Sequence, residues 1–142
     1  MHCVSIDLFS FGGHEYVVMA DRYSFYIWCS KLNNTATSDI LKAIDKWFLE
    51  AVYPRQIISD NGPQFRTEFH NYCKDKGIIH EPSSPLNPRS NGLAELAVKA
   101  AKHLLSKSDN YGDFHGDGSR RRTSFARNSF SRKFRVHFLE NH

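Results

Sequence analysis

A chain of 142 residues, 40% apolar and 24% charged, has room for one domain with a hydrophobic core. No stretch approaches the roughly 18 uncharged apolar residues of a membrane helix and no basic-then-apolar leader opens the sequence, so an intracellular protein with no membrane partner is expected. Three scattered cysteines, Cys3, Cys29 and Cys73, with no Cys-x-x-Cys pair, exclude a zinc-ribbon or dithiol-redox reading.

The net charge of +4 permits contact with a polyanion without demanding it. Residues 1 to 108 hold 12 Lys+Arg against 11 Asp+Glu, whereas residues 109 to 142 hold 7 against 4. The basic excess therefore belongs to the C-terminal part.

In chain order, Cys3 to Phe9, Tyr16 to Ala20 and Ser24 to Leu32 are rich in Val, Ile and aromatics and are separated by Gly12-Gly13 and Asp21-Arg22. They predict three antiparallel strands. From Thr35 to about Val52 the apolar spacing becomes helical through Ile40, Leu41, Ile44, Trp47, Phe48 and Ala51, with Thr37 or Ser38 available as a cap and Pro54 as a stop.

Arg55 to Asp60 reads as a short strand running into Asn61-Gly62-Pro63, a turn in which the glycine could take a positive φ cheaply. A second helix is expected around Glu68 to Lys76, closed by Gly77, and a further strand over Ile78 to Glu81. Pro82 to Gly92, with three prolines, is a loop that should be mobile. Leu93 to Leu105 is a strong helix former.

This order predicts an α/β fold with a mixed sheet and flanking helices. Beyond Ser108 no sustained period of 2 or 3.6 is read around the isolated phenylalanines Phe114, Phe125, Phe130, Phe134 and Phe138 and the Arg120 to Arg122 triplet. The expected division is a core over 1–108 and a basic, disordered tail over 109–142 that adds no packed helix.

Three acidic residues stand at unusual places. Asp7 sits inside the first strand, Asp60 ends the fourth and Glu95 lies in the first turns of a helix entered from a loop. Converging carboxylates raise one another's pKa unless a cation neutralises them, and Mg²⁺ suits a few carboxylates while leaving positions for phosphate oxygens. Two such ions about 4 Å apart hold the attacking and leaving oxygens of a displacement at phosphorus.

Around these acids the sequence Ile58-Ser59-Asp60-Asn61-Gly62-Pro63-Gln64-Phe65 resembles the second-aspartate motif of retroviral and gypsy-type retrotransposon integrases. Ser83-Ser84-Pro85 and Pro88-Arg89-Ser90-Asn91-Gly92-Leu93-Ala94-Glu95 resemble their loop leading to the glutamate, and Ile6-Asp7-Leu8-Phe9 and Asp21-Arg22-Tyr23-Ser24 match upstream. The resemblance covers about residues 3 to 107.

It implies a ribonuclease H-like mixed sheet and a D,D,E metal-dependent polynucleotidyl transferase core for DNA end-processing and strand transfer. By the same resemblance Asp7, Asp60 and Glu95 are the catalytic metal ligands for Mg²⁺ or Mn²⁺, two ions in number. Asn61, Asn91, Lys99 and Lys102 are the nucleic-acid contacts, the partners are element-end and target DNA and a second copy of the chain, and the location is nuclear. Glu95 with Lys99 is also an i,i+4 pair that would support any exposed helix.

The sequence departs from the family in four ways. Glu95 follows Asp60 by 95 − 60 = 35 residues, one fewer than usual, with the missing residue falling between Phe65 and Phe69. Arg89 and Leu96 replace a usual glutamine and basic residue, the expected upstream zinc domain is missing, and the change of texture near Phe114 is what a reading-frame shift in a decaying element would produce. The expectation is an integrase core impaired or inactive as this fragment. Its rival is a non-catalytic, host-adopted derivative that binds nucleic acid or protein.

Overall fold

A computed structural model describes residues 2–83, 91–111, 122–127 and 133–139. Strands β1 (Cys3–Phe11), β2 (His14–Asp21) and β3 (Tyr26–Leu32) form the antiparallel meander expected from their alternation. The hairpin between the first two closes on Gly12 and Gly13, both at positive φ (58° and 77°), a conformation that side chains bearing a Cβ resist. The next turn is held by Asp21, whose Oδ2 accepts the Ser24 amide (3.0 Å) and hydroxyl (2.6 Å).

Helix α1 (Thr37–Glu50) then crosses to β4 (Gln56–Ser59), which pairs parallel to β1. A 3-10 turn (Pro63–Phe65) and α2 (Thr67–Asp75) lead to β5 (Ile79–Pro82), parallel to β4. Gly77 (φ 70°) ends α2 as expected. The capping of α1 differs from expectation, for its N-cap is Ala36 with no side-chain bond, and Thr37 Oγ1 instead donates to the Gln64 carbonyl at 3.0 Å. A hydroxyl one position inside the helix is spent tying α1 to the 3-10 turn.

Helix α3 (Gly92–Tyr111) follows, and the sheet is completed by β6 (Arg122–Arg127) and β7 (Lys133–Leu139) in the order β5-β4-β1-β2-β3-β7-β6. These last elements depart from the expected disordered tail. Helix α3 runs past Ser108, and β7 pairs parallel to β3 with Ile27 opposite Val136, both fully buried. The physical reason is an alternation that composition hides: Phe134, Val136 and Phe138 are spaced by Lys133, Arg135 and His137. Covering β3 also removes an open edge. Phe114, Phe130, Arg120 and Arg121 lie outside the described residues, as does most of the Pro82 to Gly92 loop.

Side chains from both sheet faces are buried. One face packs Val4, Ile6, Val17, Met19 and Ile57 against Ile40, Ile44, Trp47 and Phe48 of α1 and Phe69 and Cys73 of α2. The other packs Phe9, Tyr16, Val18, Ala20, Ile27 and Val136 against Leu93, Ala97, Ala100, Ala101 and Leu105 of α3. Burying each large side chain contributes roughly 1.5–3 kcal/mol. No described helix is long and apolar enough to cross a membrane.

Candidate active site

Strand parity decides where the acids fall. Leu8 packs on the α1 side of β1 while Phe9 packs on the α3 side, so Asp7 shares the α3 face with Phe9 and with its cross-strand partner Val18. In β4, Ile57 belongs to the α1 side; continuing the alternation through Ile58 brings Asp60 onto the α3 side at the strand's end. Glu95 is exposed in the first turn of α3, next to the buried Ala94.

Half-buried Asp7 records this assembly. Its carboxyl is pushed above the usual aspartate range first by desolvation; the Leu8 amide, 2.8 Å from Oδ1, opposes this, and the charges of Asp60 and Glu95 both raise it further. Asp60 and Glu95 are thus within electrostatic reach of Asp7.

The Asp60 carboxylate is oriented by its own turn. Gly62 donates its amide to Asp60 Oδ1 at 2.8 Å, and a Cβ on Gly62 would stand 2.8 Å from the same oxygen. The sequence reading expects glycine here for a positive φ; its φ is −64°, and the reason for glycine is the close approach of the carboxylate.

The expected convergence at metal-bridging distance is met only as electrostatic reach. Among the described residues no three His, Cys, Asp or Glu stand close enough to hold one ion. One oxygen each of Asp7 and Asp60 is engaged by a backbone amide.

The remaining sequence candidates divide. Asn91 stands at the entrance of α3, its Oδ1 buried and accepting no hydrogen bond from the described residues. Asn61 is exposed beside Asp60, and its carbonyl accepts Arg66 Nε at 3.3 Å. Lys99 and Lys102 are exposed on α3, one and two turns beyond Glu95.

Residues missed in the sequence lie behind Asp60. Ser59 Oγ, fully buried, donates to the Asp60 carbonyl (2.8 Å) and meets His80 Nε2 at 2.7 Å. His80 packs edge-on against Phe69 with ring centroids 4.9 Å apart, and its Nδ1 lies 3.3 Å from His70 Nδ1. Burial, then the neighbouring His70, pushes the His80 pKa down. Alternation over Gln56–Ser59 turns Ser59 inward with Ile57, but four residues are too few for the sequence alone to reveal it.

A mixed sheet with two helices on one face and a third on the other is the ribonuclease H-like fold. The chain belongs to the integrase core domain family, whose model matches residues 1–88. It is 34% identical over 92 residues to the Pro-Pol polyprotein of simian foamy virus type 3 (strain LK3), covering 64% of this chain and 8% of the polyprotein.

In structure it is similar to the catalytic core domain of BIV integrase (TM-score 0.68, 22% identity, 78% of this chain and 72% of that one). It is also similar to the HTLV-2 integrase catalytic core domain in complex with magnesium (TM-score 0.65, 23% identity, 80% and 75%). The chain spans only 6% to 8% of the length of the curated relatives it matches. Membership connects it to DNA integration and to retroviral and retrotransposon polyproteins.

Proposed function

We propose that this chain is a metal-dependent polynucleotidyl transferase core of the integrase type, acting on DNA ends and target DNA. The observation that carries this reading is the integrase core domain match over residues 1–88, which spans Asp7 and Asp60 on the sheet face that also receives the helix of Glu95. A structural carboxylate on a buried face would be expected to have a cationic partner, whereas among the described residues the charges that act on Asp7 are those of Asp60 and Glu95.

The donor set is of the kind a hard divalent cation takes: three carboxylates, with the buried Asn91 carbonyl oxygen at the entrance of α3, four residues before Glu95. Asp7, Asp60 and Glu95 would hold Mg²⁺ or Mn²⁺, and two such ions supply charge stabilisation to the attacking and leaving oxygens of an in-line displacement. Gly62 keeps the Asp60 carboxylate turned by its amide bond, and the Leu8 amide does the same for Asp7. Lys99 and Lys102 project into solvent beyond Glu95, where ammonium groups pair with phosphates; Asn61 and Asn91 flank the acids with amide donors.

A second copy of the chain and a nuclear location belong to the same proposal, since integration acts on chromosomal DNA. The test is Mn²⁺-dependent disintegration of a branched DNA substrate by the 142-residue chain. Product that disappears in Asp60→Asn supports the reading. DNA binding without product and without metal dependence overturns it in favour of a non-catalytic derivative.

A further inference from the structure

Behind the acidic face runs a continuous polar chain, His70 to His80 to Ser59 to the carbonyl of Asp60. The Ser59 hydroxyl has one proton, and it points to the Asp60 carbonyl. His80 must then donate from Nε2, which fixes the Nε2–H tautomer and leaves Nδ1 as an acceptor for His70 Nδ1–H. Burial of His80 favours this neutral form.

The main chain of Ser59 is held as well, because its carbonyl accepts the Ser83 amide at 2.6 Å. Ser83 is the last described residue before the segment leading to Asn91 and Glu95. Ser59 therefore lies where the strand that carries Asp60 meets the start of the connection that carries Glu95. A hydrolase-like role for the Ser59 and His80 pair is excluded, because Ser59 is fully buried on the α2 side of the sheet.

We propose that His80, acting through Ser59, is a positioning residue that sets the direction of the Asp60 peptide, and with it the carboxylate offered to a divalent cation. This rests on the metal-site reading above only in its last clause. The positioning itself is read by the Gly62 amide, which bonds to Asp60 Oδ1 and so reports where that carboxylate stands.

The experiment compares His80→Leu, His80→Gln and Ser59→Ala in the full chain, by amide hydrogen exchange at Gly62 with the Val18 amide of the central β2 as control. Leucine fills space without a donor, while the glutamine amide can replace the Nε2–H. Loss of one hydrogen bond is expected to speed Gly62 exchange about tenfold in His80→Leu and in Ser59→Ala, with Val18 unchanged and His80→Gln close to the unsubstituted chain. The smaller Ser59→Ala change keeps the test open if His80→Leu does not fold.

Unchanged Gly62 exchange in a folded variant, or equal acceleration in His80→Leu and His80→Gln, overturns the proposal. Mn²⁺ titration separates the two readings: affinity should weaken by a similar factor in His80→Leu. A Gly62 response in a chain that takes no Mn²⁺ leaves the positioning role standing and removes the metal site.

Discussion

The two faces of the sheet are built from opposite kinds of side chain. Against α1 and α2 the filling is large, with Trp47, Phe48 and Phe69; against α3 it is small on the helix side, with Ala94, Ala97, Ala100 and Ala101. Large side chains hold helices away from a sheet, and alanines let one lie close. The first face is therefore a stability element, and the second lays against the sheet the helix whose first turn carries Glu95. Ser59 and Asp60 are consecutive residues yet serve one face each.

The largest effect expected from this contrast is on the α1 side. Phe69→Ala, at a fully buried position touching Phe65 and His80, should cost about 3–5 kcal/mol in denaturant unfolding. A loss under about 1 kcal/mol would mean that this face is not the main store of stability. Next, Ala101→Leu on the α3 side should cost about 1–3 kcal/mol by overpacking. It should also push α3 outward, weakening Mn²⁺ binding; unaltered binding would break the link between small residues and the acids.

A smaller effect concerns Asp7. Its folded pKa is raised, so ionisation opposes folding: the penalty is absent below the unfolded value near 3.8 and complete once pH rises through the folded value. Asp7→Asn should therefore stabilise the metal-free chain at neutral pH by at most about 1 kcal/mol, given solvent screening, with the difference vanishing below that lower limit. Equal stability of the two proteins across the pH range would mean that the acids do not repel. Smallest in stability is Gly62→Ala, a few tenths of a kcal/mol either way because its φ of −64° suits alanine. Its new Cβ must turn the Asp60 carboxylate, so disintegration activity should fall while the melting temperature holds.

How much of this was readable in the sequence follows from the kind of signal each residue carried. The meander, α1, α2 and α3 were legible because apolar periodicity reports burial directly, as with Ile40, Ile44, Trp47 and Phe48. Asp7, Asp60 and Glu95 stand out through resemblance and strand-end position, and in the fold Asp60 and Glu95 add to the upward push on the Asp7 carboxyl. Strand β7 was passed over because Lys133, Arg135 and His137 dilute its apolar alternation, although Val136 is as buried as any core residue. His80 and Ser59 were invisible for another reason: a four-residue strand gives too short a period to assign faces, and only pairing places them side by side.

Arg66 closes the 3-10 turn and opens α2 with a backbone that is neither helical nor extended (φ −90°, ψ −129°). Such a joint uncouples the phase of the two segments. Removing one residue inside α2 would rotate everything beyond it by about 100° and swing Cys73 out of the core. Removing one at the joint changes only the length of a link, since Phe65 and Phe69 still meet at 5.1 Å and each is anchored independently. A difference of one residue at this joint is therefore absorbed by the link, leaving Phe69 and Cys73 of α2 in the core.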